Sequence, residues 1–310
     1  MPEPLVTAII PTKDRAALCA RAVESVLAQT YHSIECIVVD DGSSDSTHEM
    51  LSGRFGDRIH IVRNDVNQGV ARARNQAIAM AQGKYIAFLD SDDEWLPAKI
   101  ARQVEVAEKG ADVVYCLALN VTPEGKAISV QRERRRGDLS RPLLVGNVIG
   151  PPSKVLLRRS SLDGIELFRP GIHFEDWELF ARLSLRCRFD VVPEVLVRIE
   201  FDANSRHWSM TAQQHIDSQR AIYESLESDP LARELVRERR REIDAAIDYY
   251  TGVQLNIGGR HREAARYFLR SVRRYPLQLR AWRSLAVLAT GPRVTAAAKR
   301  LRARLVSRRG

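Results

Sequence analysis

Four carboxylate side chains lie within five residues, at Asp90, Asp92, Asp93 and Glu94. They follow the apolar residues 85–89, which are predicted to form a buried strand. Mg²⁺ and Mn²⁺ prefer carboxylate oxygens, and an Asp-x-Asp pair can hold such a cation while diphosphate oxygens and water fill its other positions. The same side chains could instead cap the helix predicted to follow, so the stretch alone leaves both interpretations open.

A second acidic pair, Asp40 and Asp41, ends the apolar run at residues 34–39. A carboxylate can accept hydrogen bonds from the edge of a uracil or guanine ring or from ribose hydroxyls, and Gly42 permits a tight turn directly after the pair. Helix capping in this segment is compatible with such a ligand role. The two acidic strand ends therefore predict one polar crevice.

The elements that must position these side chains are short strands alternating with helices. Over residues 5–90 the apolar pattern predicts βαβ units and a mostly parallel sheet, with strands at 6–11, 34–39, 59–62 and 85–89 and a helix over 70–81. The carboxyl ends of parallel strands share one edge of a sheet, where ligands of such folds bind. The start of this helix, which follows Asn67, Gln68 and Gly69, is a location suited to an anionic phosphate. The absence of a Gly-rich dinucleotide fingerprint and of a Walker loop argues against a dehydrogenase or a P-loop NTPase.

Charge divides the 310-residue chain, whose net charge is +9, into two parts. Residues 1–210 contain 27 Lys and Arg against 29 Asp and Glu, whereas residues 211–310 contain 21 against 10. The second part is helical in pattern throughout. Neither an aromatic stacking platform nor a recognised nucleic-acid module accompanies its charge, so we expect no nucleic-acid partner. We predict two domains, 1–210 and 211–310.

Within the helical part, residues 245–290 resemble one tetratricopeptide helix pair. The resemblance rests on Tyr250, Leu255, Gly258, Ala264, Phe268, Pro276, Ala281 and Trp282. One repeat cannot bury both of its faces, so we expect packing on neighbouring helices or on another copy of the chain, as a homo-oligomer. Residues 294–305 form a basic amphipathic helix pattern that suits an anionic membrane surface or docking on the preceding helices.

The expected location is the cytoplasm, with peripheral contact at the inner face of the cell membrane left open. No apolar run approaches the ~20 residues of a membrane span, and the amino terminus lacks the pattern of a signal peptide. The four cysteines form no Cys-x-x-Cys pair, which argues against a zinc or redox site and is typical of a reducing compartment.

Nine motifs occur in chain order between residues 5 and 205. They are Ile10-Pro11-Thr12, Ser25-Val26-Leu27-Ala28-Gln29-Thr30-Tyr31, Val39-Asp40-Asp41-Gly42-Ser43, Asn67-Gln68-Gly69, Ala73-Arg74-Asn75, Leu89-Asp90-Ser91-Asp92-Asp93, Gly146-Asn147, Arg158-Arg159-Ser160 and Glu175-Asp176-Trp177-Glu178-Leu179. With them the chain resembles the family 2 glycosyltransferases. The resemblance implies a GT-A type nucleotide-binding domain, and a metal-dependent transfer of a sugar, with inversion, from a nucleoside diphosphate donor to an acceptor hydroxyl, assisted by Mg²⁺ or Mn²⁺.

The resemblance also implies roles for individual residues. Asp92 would be the principal metal ligand, with Asp90 on the metal or the donor ribose. The other implied donor-binding residues are Pro11, Thr12, Asp14, Asp40, Asp41, Arg74 and Ser91, with Asp41 at the base edge and Arg74 at the diphosphate. Asp176 would be the general base, and Glu175 and Trp177 would lie in the acceptor region. Asp14 and Glu200 depart from the family pattern, where Asn and His are frequent, and either could alter donor or metal contacts.

We therefore expect a glycosyltransferase of surface polysaccharide or glycoconjugate synthesis. Its partners would be a UDP-sugar or other nucleotide-sugar donor and a glycan or lipid-linked acceptor. A sugar nucleotidyltransferase is one alternative, although its Gly-rich phosphate-binding start is missing. An inactive scaffold that recruits partners through its helical tail is another, although the intact Asp90, Asp92 and Asp176 argue against it.

Overall fold

A computed structural model of the chain describes residues 3–201 and 210–289. The chain divides into two compact units, Met1–Asp202 and Ala203–Gly310. The predicted domain boundary after Met210 stays a prediction. The basic amphipathic pattern at residues 294–305 lies outside the described residues.

The first unit is built on one nine-stranded sheet. Its strands are β1 (Val6–Thr12), β2 (Ile34–Asp41), β3 (His60–Asn64), β4 (Tyr85–Phe88), β5 (Glu94–Trp95), β6 (Val113–Val121), β7 (Ala127–Gln131), β8 (Val155–Arg158) and β9 (Phe189–Glu200). They lie side by side in the order β3-β2-β1-β4-β8-β6-β9-β5, and β7 pairs with β6. The four strands predicted from the first ninety residues are all present.

The sheet is mixed. β1 pairs in parallel with β2 and β4, and β2 with β3, whereas β8 runs antiparallel to both β4 and β6. The predicted α/β class is confirmed, but parallel pairing is confined to β1–β4 and to the β6–β9 pair. The crossover helices between β1 and β4 are visible as local periodicity, whereas the direction of β8 depends on partners that are distant in the chain.

Helices cover this sheet. They are α1 (Ala16–Leu27), α2 (Thr47–Phe55), α3 (Val70–Met80), α4 (Lys99–Ala107), α5 (Ser140–Val145) and α6 (Glu175–Ser184). Every residue of β1 is buried, as expected for a central strand that is covered on both faces. In α1 the apolar side chains at helical spacing, including Ala22, Val23 and Val26, belong to the same core cluster as β1. Burying one such valine fully contributes ~1.5–3 kcal/mol.

The second unit is helical. Its helices are α7 (Ala212–Leu226), α8 (Pro230–Glu238), α9 (Arg240–Ile257) and α10 (His261–Arg274), and residues 279–289 are helical as well. Thr211 and Gln214 form a reciprocal capping box at the start of α7. α9 and α10 pack through the buried Leu255, Ala264 and Phe268. This confirms a helical carboxyl-terminal region, and its tetratricopeptide character stays a prediction.

Across residues 3–201 and 210–289, no helix combines the length and the apolar character needed to cross a bilayer.

Candidate active site

The polar groups that follow β1, β2 and β4 meet at one edge of the sheet, as predicted. Parallel pairing aligns Thr12 at the end of β1 with Asp40 near the end of β2. The chain continues from β4 into the acidic segment 90–93, which we call the acidic turn. Pro11 and Thr12 are buried within β1 itself.

Asp41 shapes the loop that leads into α3. One carboxylate oxygen accepts hydrogen bonds from Asn64 Nδ2 and from the Gln68 backbone N–H, both at 2.9 Å, and the other accepts from the Gly69 N–H at 2.7 Å. Gly42 lies against the same loop, because a Cβ atom on it would stand 2.7 Å from the Asn67 nitrogen. The loop with the Asn67-Gln68-Gly69 motif is thus fixed to the end of β2.

Asp40 has one carboxylate oxygen without a hydrogen-bond partner among the described residues. Its side chain is fully buried, and Oδ1 accepts a hydrogen bond from the Ser43 N–H at 3.0 Å. Oδ2 lies 4.0 Å from Arg63 Nε and accepts no hydrogen bond from any described residue. A buried polar atom without a partner is costly, so this oxygen is suited to a donated N–H or O–H of a nucleobase or ribose.

Asp14 ties the ends of β1 and β2 together. Its Oδ1 accepts from the Ser44 N–H at 2.7 Å, and its own N–H donates to Ser43 Oγ at 2.9 Å. Lys13 Nζ lies 2.8 Å from Oδ2, and this contact, with the bonds from Ser44, holds the pKa of Asp14 well below its ordinary value. With φ at +50°, Asp14 occupies a backbone region that Asp and Asn tolerate better than most residues.

The acidic turn holds more negative charge than its surroundings balance. Asp93 is buried, and its carboxylate accepts from Ser153 Oγ at 2.5 Å and from the Glu200 N–H at 3.2 Å. Burial, together with the neighbouring Asp90 and Asp92, raises the pKa of Asp93 well above its ordinary value. The pKa of Asp92 is also raised, first by burial and then by Asp90.

Two arginines of the amino-terminal segment reach this turn. Arg15 Nη1 lies 2.7 Å from Asp92 Oδ2 and 3.4 Å from the hydroxyl of the buried Ser91. Arg21 Nη2 donates to the Asp92 carbonyl at 2.9 Å and lies 2.7 Å from Glu200 Oε2. Glu200, one of the departures from the family pattern, thus pairs with Arg21 beside the acidic turn.

Arg74 joins the acidic turn to α6. Its side chain is only 4% exposed, and its guanidinium lies 2.7 Å from Asp90 Oδ1 and 2.5 Å from Glu175 Oε1. The ring of Phe168 lies beneath it, 5.2 Å from the guanidinium carbon. Arg74, itself a predicted site residue, therefore forms ion pairs with two others, Asp90 and Glu175.

Asp176 lies in the first turn of α6, next to this ion-pair network. Asn147 Nδ2 donates to its Oδ2 at 3.1 Å. Burial and the adjacent Glu175 raise the pKa of Asp176 to about 7, while Arg74 opposes the shift. A carboxylate that titrates near neutral pH is suited to accept a proton from a hydroxyl group. Trp177 is buried, and its indole N–H donates to the Leu143 carbonyl at 2.5 Å, which holds α6 against α5.

The donor atoms of the acidic turn suit a hard divalent cation. Within the described parts of the chain, no cluster of three or more His, Cys, Asp or Glu side chains forms a complete metal cage. Asp90 and Asp92 provide carboxylate oxygens, and burial, followed by the charge of Asp90, raises the pKa of Asp92. These residues fit a cation that a diphosphate helps to hold.

Among the site contacts that carried no sequence prediction, those of Arg15, Arg21 and Ser153 reach the acidic turn. Arg15 and Arg21 are close to Asp14 in the sequence, so their position after β1 was an available signal. Ser153 is separated from Asp93 by sixty residues, and no local pattern links the two.

Two curated bacterial proteins are similar to part of the chain. The putative teichuronic acid biosynthesis glycosyltransferase TuaG of Bacillus subtilis is 43% identical over 105 residues, which are 33% of this chain and 42% of TuaG. The Escherichia coli UDP-Glc:alpha-D-GlcNAc-diphosphoundecaprenol beta-1,3-glucosyltransferase WfaP is 42% identical over 104 residues, 34% of this chain and 41% of WfaP. The chain thus spans less than half the length of these relatives.

Solved structures share the fold at low identity. S. aureus TarS 1-349 in complex with UDP-GlcNAc has a TM-score of 0.61 at 16% identity, covering 87% of this chain and 91% of that one. The mannosyltransferase PcManGT from Pyrobaculum calidifontis, in complex with GDP-Man and Mn²⁺, has a TM-score of 0.59 at 18% identity, covering 94% and 81%. These likenesses show a GT-A-like fold.

The family match covers the strands and loops described above. Residues 7–165, a little over half of the chain, match the profile of the family described as glycosyl transferase family 2. The match extends from β1 through the acidic turn and past β8. The protein therefore belongs to glycosyl transferase family 2.

Proposed function

We propose that the protein is an inverting glycosyltransferase that moves a sugar from a nucleoside diphosphate donor to an acceptor hydroxyl, in polysaccharide or glycoconjugate synthesis. The observation that carries the proposal is the setting of Asp176. Its pKa is raised to about 7, and its neighbour Glu175 shares Arg74 with Asp90. The proposed proton acceptor would therefore lie beside carboxylates that suit a cation, and that cation would in turn bind the diphosphate.

The reaction needs one base on the acceptor side. Asp176 takes the proton of the acceptor hydroxyl as its oxygen forms a bond to the anomeric carbon. The bond from that carbon to the diphosphate oxygen breaks on the opposite face, and the diphosphate leaves with the electron pair. Attack opposite to the leaving group inverts the anomeric configuration. Asn147, which donates to Asp176 Oδ2, orients the carboxylate.

The donor nucleotide would bind at the ends of β1 and β2. Asp40 Oδ2, which accepts no hydrogen bond from a described residue, would accept one from an N–H of the base or an O–H of the ribose. Asp41 and Asp14 each accept several protein hydrogen bonds, so we assign them to shaping the loops around the nucleotide. Thr12 would line the same crevice, because it pairs with Asp40 in the sheet.

The cation would be held by Asp90 and Asp92, with Mg²⁺ or Mn²⁺ as the expected ions. When bound, it supplies positive charge to the leaving diphosphate, which makes a protein acid unnecessary. PcManGT, which shares the fold, is described with Mn²⁺. The protein would contribute the carboxylates of Asp90 and Asp92 to the binding of the cation.

The acceptor would be a growing glycan or a lipid-linked sugar. The name of WfaP describes transfer to a GlcNAc-diphosphoundecaprenol, and that of TuaG places it in teichuronic acid synthesis. A lipid-linked acceptor would bring this protein to the cytoplasmic membrane face, where the basic residues 294–305 could contact anionic lipid.

Self-association through the helical region is part of the same proposal, and analytical ultracentrifugation tests it.

Ligand binding tests the donor and the cation together. UDP, GDP, ADP, CDP and dTDP are each added to the full chain with and without Mn²⁺, and the melting temperature is measured. We expect one of them to raise the Tm in a Mn²⁺-dependent manner, and Asp92→Asn to remove that shift while the exposed-surface control Asp163→Asn keeps it. No shift with any nucleotide would contradict the proposal.

A further inference from the structure

Arg15 lies where the ends of three strands meet. It directly follows Asp14 after β1, and its backbone N–H donates to Thr47 Oγ1 at the start of α2, at 3.2 Å. Its side chain extends to the acidic turn after β4, where Nη1 lies 2.7 Å from Asp92 Oδ2. The backbone of Arg15 is therefore anchored, while the guanidinium contacts the carboxylate proposed to be the principal cation ligand.

The two arginines of this site differ in their freedom to move. Arg74 is 4% exposed and is paired with two carboxylates. Withdrawing it would leave Asp90 and Glu175 partly buried without a counter-charge, which is costly. The Arg15 side chain is 45% exposed, and its ion pair with Asp92 remains open to water. Asp92 is 31% exposed, so water can reach this ion pair and screen it, and Arg15 should leave its carboxylate more easily than Arg74 leaves the two carboxylates that it contacts.

We infer that Arg15, rather than Arg74, is the arginine that binds the donor diphosphate, and that without a cation it neutralises Asp92 in the cation's place. The inference rests on the proposed function. Once Asp92 holds a cation, that cation repels the Arg15 guanidinium and weakens its ion pair, and Arg15, unlike Arg74, pairs with no second carboxylate among the described residues. Its N–H donors then become available to the phosphate oxygens, which guanidinium groups bind in a bidentate manner.

This exchange makes two predictions of opposite sign for one substitution. Arg15→Gln removes a positive charge that competes for Asp92, so Mn²⁺ alone should bind about threefold to tenfold more tightly. The same variant loses a phosphate ligand, so at saturating Mn²⁺ its affinity for the nucleoside diphosphate should fall at least about tenfold. A merely structural role for Arg15 would weaken both or neither.

The experiment uses the full chain and four proteins: wild type, Arg15→Gln, Arg15→Lys and the control Arg54→Gln. Arg54 is an exposed arginine that pairs with Glu24 across α1 and α2, away from the acidic turn. Free Mn²⁺ is measured by electron paramagnetic resonance without nucleotide. UDP and GDP binding at saturating Mn²⁺ is measured by calorimetry. Arg15→Lys should keep wild-type Mn²⁺ affinity, because lysine keeps the positive charge. It should lose part of the nucleotide affinity, because an ammonium group lacks the planar, bidentate N–H donors of a guanidinium.

The inference requires that Arg15→Gln bind Mn²⁺ more tightly and the nucleoside diphosphate more weakly, while Arg54→Gln binds both as the wild type does. Unchanged or weaker Mn²⁺ binding, or unchanged nucleotide binding, would overturn the inference. These outcomes differ from a failure of the proposed function, in which the wild-type protein itself binds neither UDP nor GDP nor any other nucleoside diphosphate in the presence of Mn²⁺.

Discussion

The ionisation of the side chains in this site depends on their burial and on the charges beside them. Asp90, Asp92, Asp93, Glu175 and Asp176 bring five carboxyl groups to one region, and Arg74 and Arg15 neutralise part of their charge. Burial and like charge therefore raise the pKa of Asp92, Asp93 and Asp176. The residue whose raised pKa lies near neutrality, Asp176, is the one suited to exchange a proton during turnover.

We expect the rate of transfer to follow the ionisation of Asp176. With a pKa of about 7, its carboxylate form, the proposed base, accumulates as the pH rises through neutrality. kcat/KM should therefore rise between about pH 6 and pH 8 and then level off. Asp176→Asn should lower kcat by roughly 10²–10⁴-fold and abolish this rise.

The matched control for that experiment is Asp163→Asn, an exposed aspartate in the same unit. It should keep both the rate and the pH profile. A pH-independent wild-type rate, or a fully active Asp176→Asn, would exclude Asp176 as the base.

At the scale of elements, the site depends on loops held against strand ends. Asp41 accepts two hydrogen bonds from the loop between β3 and α3 and a third from Asn64 at the end of β3, and Gly42 lets that loop approach β2 closely. Asp14 does the same for the turn after β2. The loops therefore keep their shape without a ligand, and the strands supply the rigid frame.

Gly42→Ala should disturb this contact. Gly42 has φ at +72°, and the added Cβ would stand 2.7 Å from the Asn67 backbone nitrogen. We expect a loss of about 1–3 kcal/mol in the free energy of unfolding and weaker nucleotide binding. Chemical denaturation and the nucleotide thermal-shift assay measure the two effects.

Gly53→Ala is the matched control, because Gly53 lies in α2 with nothing within 4 Å of the added Cβ. Its greater helix propensity should stabilise the protein by about 0.5–1 kcal/mol. Equal effects of the two substitutions would show that the Gly42 contact is unimportant.

The first residue of α4 should be a source of instability. Lys99 is fully buried, its Nζ makes no hydrogen bond to a described residue, and it lies 4.0 Å from the centre of the Trp95 ring. Burial lowers its pKa to about 7. Lys99→Met, which keeps the shape without the amine, should therefore stabilise the protein by about 1 kcal/mol or more near pH 7.

Lys99 should also make the free energy of unfolding depend on pH. Because the folded-state pKa of Lys99 lies below the ordinary value of 10.5, the unfolded chain binds more protons between these values. Wild-type stability should rise over that window, so the advantage of Lys99→Met should shrink towards about pH 10. Thermal unfolding at both pH values, with the exposed Lys109→Met as control, measures it. A destabilised Lys99→Met would contradict the prediction.

At the scale of the whole molecule, chemistry and basic charge belong to different parts of the chain. Every site residue described above comes from the unit Met1–Asp202, whereas the last hundred residues contain twice as many basic as acidic side chains. The helical unit has its own apolar cluster at α9 and α10. Damage to that cluster should therefore leave nucleotide binding intact.

Gly252→Ala tests this separation. A Cβ on Gly252 would stand 2.7 Å from the Phe268 ring, where α9 and α10 pack closely. Overpacking should lower the stability of the helical unit by about 1–3 kcal/mol. Calorimetric unfolding should show this loss, while the nucleoside diphosphate affinity at saturating Mn²⁺ stays at the wild-type value. A parallel loss of affinity would show that the site depends on the helices.

The sequence by itself determined the α/β class, the strands β1 to β4 and the polar groups at their ends. It could do so because strand and helix periodicity is local, and because the parallel strands place their carboxyl ends at one edge. The short β7 and the direction of β8 were not predictable in this way, since both depend on pairing with β6.

Only the tertiary structure decided which charges neutralise one another. The family resemblance implies that Arg74 contacts the diphosphate, but folding brings Glu175 to it across 101 residues and leaves it buried between two carboxylates. Arg15 carried no prediction, and folding sets it against Asp92, 77 residues away. The energy of an ion pair depends on distance and burial, and neither is encoded in the local pattern of residue types.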